Sequence, residues 1–344
     1  MDIQHEIDKD NMFEVINNTP DQLVTGLELG KDIKLDKKYD SVVLSGMGGS
    51  ALVGELLKIY LSDGFKVPST QFPVKIHINR SYSLPPESFE PNCLNIISSY
   101  SGNTEETLSS FDEALKNNLD CLGMGSGGRL QEICKEKNVP FLAMPIPSPS
   151  FQPRCATGYG FSALLQLFAN SGILTLKTEN FKNAAEKIKA DINVFSTLGS
   201  DIAKKITNKT PVVYAPIKFK ALALIWKIMF NENAKTPALW NFFPELSHNE
   251  MVGFTNPQAA FYFLMLRDKN DIPDNLKRLE ITVNIFKEYG IDSTVVDIPG
   301  GDIIYRIFSV LQIGSFVSYH LALLYGTDPT PVEMVEKLKK MLAS

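Results

Sequence analysis

Short apolar runs in this chain are repeatedly followed by a glycine- or hydroxyl-rich turn and then by a helical pattern. That alternation constrains the fold more than any other feature. Residues 42–44 open into SGMGGS, after which Leu52, Leu56, Leu57 and Tyr60 mark one helical face. Residues 74–78 form a second apolar run, and 93–97 a third that enters SSYSGNTEET and a helical stretch to about 116. Further runs at 121–123 and 141–144 flank a helical pattern at 130–137. Strands alternating with helices call for a mainly parallel sheet with helices on both faces. Upstream, residues 12–30 read as one leading helix that ends at Gly30.

The segment PIPSPSFQP (145–153) interrupts the alternation with a run of prolines and serines, and the pattern then starts again. Helices are expected at 154–169, 181–198, 218–230 and 276–289, and strands at 212–215, 259–266 and 294–296. A long helix begins near 305 and a closing one near 331. With 344 residues, two domains are expected, at roughly 150 residues each. The expected architecture is α/β, two domains at 1–152 and 153–344, each a mainly parallel sheet flanked by helices.

Composition narrows the class. The chain is 44% hydrophobic and 21% charged, enough apolar surface for substantial cores. Its net charge is −5, and no basic block offers a footprint for nucleic acid. Cys93, Cys121, Cys134 and Cys155 form no CxxC pair, and with four histidines there is no zinc-like spacing. They read as reduced thiols of a cytoplasmic protein. The polar, acidic N-terminus does not resemble a secretory signal. The stretch 303–325 is long enough to span a membrane, but Arg306, Gln312 and His320 favour a buried core helix. No membrane partner is expected.

Two loops carry the chemistry. In SGMGGS (45–50), glycines let backbone amides approach an anion at a helix start. A dinucleotide fingerprint fits superficially, with Ala51 at a third position where some variants tolerate alanine. However, no well-placed acidic strand end follows to hold a ribose, and the GK[ST] ending of a triphosphate-binding loop is absent. A tight turn for helix–sheet packing is the plain alternative. In SSYSGNTEET (98–107), hydroxyls cluster around a glycine at another helix start, although Asn103 and Glu106 would also suit a capping box. With no lysine in the loop, the donors suit a compact phosphate monoester. Gly48, Gly49, Ser50, Ser99, Ser101 and Thr104 are the candidate substrate-binding residues.

GMGGSA followed about fifty residues later by SYSGNTEET resembles the sugar isomerase (SIS) domain, which binds phosphorylated sugars. NENAK (231–235) and PELSHNE (244–250) are similar to the paired motifs of the bifunctional phosphoglucose/phosphomannose isomerases, so the resemblance spans nearly the whole chain. It implies an aldose–ketose isomerase that interconverts fructose 6-phosphate with glucose 6-phosphate and mannose 6-phosphate through a cis-enediol. No metal or redox cofactor is implied.

That reaction needs ring opening, removal of a carbon-bound proton and stabilisation of an enediolate. The resemblance implies Glu232 as the base, with Glu245 as a competitor three residues before His248. His248 is implied for ring opening and proton shuttling, suited by the near-neutral pKa of an ordinary imidazole. In the family it enters from the partner subunit of a homodimer. Arg154 is implied to hold the enediolate charge, a hinge salt bridge being the alternative. Near the C-terminus, Thr330 and Lys337 are implied to line the sugar pocket, the threonine leaving room for both epimers. Pro331 suits a first helical position, and Thr330 an N-cap that shares a helix face with Lys337. His5 and His77 have no comparable setting, and His320 reads as a satisfied core or interface side chain. The alternatives are an isomerase for another phosphosugar such as an amino sugar phosphate, a non-catalytic phosphosugar sensor, and a dinucleotide-dependent oxidoreductase resting on residues 46–51 alone.

Overall fold

The computed structural model describes residues 6–63 and 74–342, so His5 lies outside the described residues. The elements run α1 (Met12–Asn17), α2 (Asp21–Gly30), β1 (Ser41–Gly46), α3 (Gly48–Asp63), β2 (Lys75–Asn79), β3 (Cys93–Ser98) and α4 (Glu105–Lys116). They continue β4 (Cys121–Gly125), α5 (Gly128–Lys137), β5 (Phe141–Ala143), α6 (Thr157–Asn170), α7 (Thr178–Ile206), β6 (Thr210–Pro216) and α8 (Lys220–Glu232). The chain closes with β7 (Leu239–Phe243), α9 (Glu250–Gly253), β8 (Phe261–Arg267), α10 (Pro273–Glu288), β9 (Ser293–Asp297), α11 (Ile303–Leu324) and α12 (Glu333–Leu342).

Two compact units emerge. One comprises residues 18–189 with 302–304; the other takes the described residues up to 17, then 190–301 and 305 onward. The proline-rich segment 145–153 therefore lies inside the first unit, and residues 153–189 belong with it. The chain passes to the other unit within α7, without a break in the helix.

The first unit holds a five-stranded parallel sheet in the order β2-β1-β3-β4-β5. Every residue of β1 and β3 is buried, as expected for central strands covered on both faces, which is why they read as short, mainly apolar runs. Helix α4 buries Thr107, Ser110, Phe111 and Ala114, the spacing of one helical stripe. That stripe joins Ile97, Leu130 and Cys134 in a core cluster. The second unit has a four-stranded parallel sheet in the order β7-β6-β8-β9. Its core gathers Tyr214, Phe243, Leu246, Phe254, Phe263 and Phe286.

Three expectations change. The leading helix is two helices, broken at residues 18–20, where Pro20 supplies no amide for a continuous ladder. Strand β7 was not anticipated; it is an edge strand, apolar at four of its five positions, and offers no alternation to detect. The closing helix starts at Glu333, so Thr330 lies before it and is not its N-cap. Thr330 is buried while Lys337 is exposed on α12, and the two do not share a helix face. Helix α11 has the length and hydropathy to cross a membrane, yet it is mostly buried within the protein. Trp226 donates its indole N–H to Val310 O on this helix at 2.9 Å.

Candidate active site

In a sheet of order 2-1-3-4-5, the connections leaving β1 and β3 run to opposite faces and open a crevice at the carboxyl ends of these strands. Both chemical loops leave from there. The first follows β1 and begins α3; the second follows β3, and α4 starts with Thr104 as its N-cap. Thr104 makes no side-chain cap bond, and Asn103 turns its amide to other partners, so the capping box does not form.

The two loops are stitched together. Ser98 Oγ donates to Ser50 O at 3.1 Å, and Tyr100 N donates to Ser50 Oγ at 3.0 Å. The Ser50 hydroxyl thereby accepts an amide of the second loop, and the bond orients it. Within the second loop, Ser99 is fully buried and its hydroxyl donates to Thr104 Oγ1 at 2.9 Å. Thr104 N donates back to Ser99 Oγ at 3.3 Å. Thr104 is half-buried and Ser101 exposed. Ser99 thus braces the loop, and Ser101 and Thr104 are its accessible hydroxyls.

A third loop, Gly125 to Gly128 between β4 and α5, completes the cradle and was missed in the sequence. Ser126 donates from its N and its Oγ to Tyr100 O, at 2.8 and 2.6 Å. Arg129 N donates to Asn103 Oδ1 at 3.1 Å, and Leu130 N to Gly102 O at 2.9 Å. Gly102 has φ +72°, and a Cβ there would lie 1.8 Å from Gly127 O, so no other residue fits. The signal was present: GMGSGG (123–128) is a third glycine-rich strand-to-helix turn.

Arg154 reaches this cradle through its backbone. It sits in the 3-10 turn Pro153–Cys155, and a Cβ on Gly49 would lie 2.7 Å from Arg154 N. The side chain is buried, with Nη1 donating to Gln152 Oε1 at 3.2 Å. The buried Gln22 of α2 pins the turn, donating to Cys155 O at 2.7 Å and accepting from Gly158 N at 3.1 Å. Tyr100 donates its hydroxyl to Pro145 O at 2.7 Å, tying the second loop to the proline-rich segment. Burial raises the Tyr100 pKa, so the phenol stays a donor. Gly49, Ser50, Ser98, Tyr100 and Pro153 help to line a small cleft in this unit.

The first unit therefore gathers Gly48, Gly49, Ser50, Ser99, Ser101, Thr104 and Arg154, whereas Glu232, His248, Thr330 and Lys337 belong to the second. Glu232 ends α8 and is half-buried. Its neighbour Asn233 is buried and donates to Ser318 Oγ on α11 at 2.9 Å. Lys235, with φ +51°, folds its ammonium back onto Glu232 O at 2.8 Å and Asn233 O at 3.2 Å, closing the helix. His248 is exposed at the end of the 3-10 turn Glu245–His248. Glu245 is exposed as well and accepts from Asn249 Nδ2 at 2.9 Å. His320 pairs with Ser196 Oγ at 3.2 Å and stacks on Phe316, as expected of a satisfied core side chain.

In the second sheet, the strand-order reversal falls between β6 and β8. The buried Arg306–Asp268 pair, 2.6 Å apart, stands there after β8, and the guanidinium lies 5.0 Å over the Phe219 ring after β6. Side chains of the unit itself thus occupy the place that the hydroxyl loops hold in the first sheet.

A sequence profile for the bacterial phospho-glucose isomerase C-terminal SIS domain matches residues 195–342. The bifunctional phosphoglucose/phosphomannose isomerase of Caldicellulosiruptor bescii is 36% identical over 96% of this chain and 99% of that protein. The enzyme of the same name from Aquifex aeolicus is 33% identical over 92% of this chain and 93% of its own length. Among solved structures, the C-terminal domain of glucosamine-fructose-6-phosphate aminotransferase from Francisella tularensis superposes with a TM-score of 0.69 at 16% identity. It covers 93% of this chain and 98% of that one. With two curated relatives above 30% identity along nearly their full length, the chain belongs to the bifunctional phosphoglucose/phosphomannose isomerase family.

Proposed function

We propose that this protein is an aldose–ketose isomerase that interconverts fructose 6-phosphate with glucose 6-phosphate and mannose 6-phosphate. The observation that carries the reading is the cradle at the carboxyl ends of β1, β3 and β4, in a chain of this family. It is lined by hydroxyls and helix-start amides rather than lysines, which suits a monoester phosphate. Ser50, Ser101, Thr104 and the amides at Gly48 and Gly49 hold that phosphate, and Ser99 keeps the loop in shape.

Glu232 removes the proton from C2 of the aldose and returns it to C1, through a cis-enediol. His248 opens the ring and moves protons at the sugar oxygens. The fork of Arg154 holds the negative charge that develops on the enediolate, and Lys337 lines the sugar pocket. Thr330 leaves space for rotation about C2–C3, so that glucose and mannose epimers are both accepted. The working form is a cytoplasmic homodimer in which each subunit lends His248 to its partner. The reaction draws on no metal or redox cofactor.

The test is a coupled assay with each hexose 6-phosphate, with and without a chelator. Turnover of both aldose phosphates, unaffected by the chelator, is expected; binding without turnover would make the protein a sensor. Glu232→Gln should lower turnover by about 10²–10⁴-fold with little change in phosphosugar affinity. Full proton exchange at C2 in that variant would remove Glu232 from the base role.

A further inference from the structure

We infer that Glu250 is the positioning residue that sets His248, a role resting on the function proposed above for that histidine. His248 stands exposed on a short segment with an anchor on each side. Two residues before it, Leu246 is fully buried in the core with Tyr214, Phe243 and Phe254. Two residues after it, the half-buried Glu250 turns its carboxylate onto the sheet. Its Oε1 accepts from the Tyr214 hydroxyl of β6 at 2.9 Å, and its Oε2 from Asn241 Nδ2 of β7.

Both donors are fixed independently of Glu250. Tyr214 is fully buried, which first of all raises its pKa, and the adjacent carboxylate raises it further; the phenol therefore keeps its proton. Asn241 uses its oxygen to accept Phe242 N at 2.8 Å, so its amide nitrogen must face Glu250. A carboxylate fits this pair of convergent donors, and no other side chain of the segment receives them. Asn249 adds a brace across the segment, donating to Glu245 Oε1 at 2.9 Å. Without Glu250, only the apolar contacts of Met251 and Phe254 would hold the segment after His248, and two partly or fully buried donors would lose their acceptor.

The experiment is a double-mutant cycle on the full chain with Glu250→Ala, His248→Ala and the double variant. Fructose 6-phosphate turnover, the affinity for an inert sugar phosphate and the thermal midpoint are measured for each. Glu250→Ala should lower kcat by about 10- to 100-fold with KM within about twofold, because it displaces a reacting group and not the phosphate site. The same substitution in the His248→Ala background should cost nothing further. Glu250→Gln keeps one acceptor and should recover part of the loss, which guards against a simple failure to fold.

Unchanged kcat in Glu250→Ala, while His248→Ala is impaired, would overturn the positioning role and leave the proposed chemistry standing. An equal loss in both backgrounds would overturn it too, since Glu250 would then act elsewhere. Full activity of His248→Ala would instead refute the histidine's proposed role, and with it this inference.

Discussion

Single residues in the cradle tolerate little change. Gly102 combines a positive φ with a Cβ position 1.8 Å from Gly127 O, so Gly102→Ala must force two loops apart. It should destabilise the fold by about 2 kcal/mol or more and weaken phosphosugar binding, read by denaturant unfolding and by titration with an inert sugar phosphate. The thiols behave oppositely, as core side chains. Burial pushes the Cys121 pKa up to about 12 and that of Cys134 to about 11. Both should resist alkylation in the native protein and react promptly once it is unfolded, measured by mass spectrometry of trapped peptides. At this scale the sequence was informative about placement: the hydroxyls of 98–104 and the glycines of 46–49 stand in strand-to-helix turns, as expected. It was silent on Gln22 and Glu250, because each works through a partner distant in sequence that only the folded chain brings within hydrogen-bonding reach.

Elements add a second layer. In α11, burial is the first cause that lowers the pKa of His320 from its ordinary 6.5, and the charge of Lys204 adds to it. The unfolded chain then takes up a proton at a pH where the native helix resists it. Stability should therefore fall as pH drops below about 6.5, down to the lowered native value. The thermal midpoint of the wild type should decline more between about pH 7.5 and about pH 5.5 than that of His320→Gln. An equal decline would assign the acid sensitivity to other groups. At the end of β8, Asp268 neutralises a guanidinium that is equally buried. Asp268→Ala should cost about 3–5 kcal/mol, because it strands the charge of Arg306 in the core. Strand and helix order was largely legible, since a fully buried parallel strand is a compact apolar run and a helix shows its stripe. Edge strand β7 escaped, lying between two motifs with no alternation of its own.

For the whole molecule, the proposed sharing of His248 between subunits makes a quantitative prediction. Glu232→Gln and His248→Ala are each expected to be nearly inactive. If the two residues of one site come from different chains, unfolding and refolding an equal mixture should restore about a quarter of wild-type activity. Half of the dimers are then mixed, and each mixed dimer holds one intact site out of two. No recovery on mixing would place both residues in the same chain.

The sequence alone determined the α/β alternation, the two parallel sheets and the hydroxyl-rich turn that opens α4. These depend on local periodicity and on the backbone freedom of glycine, which neighbours a few positions apart already decide. Tertiary structure alone decided that a third glycine loop closes the cradle, that Arg154 abuts Gly49, and that the loop of His248 is moored through Glu250. Those contacts join residues tens to more than a hundred positions apart, and they form only when strand order and helix packing carry separate segments into hydrogen-bonding range.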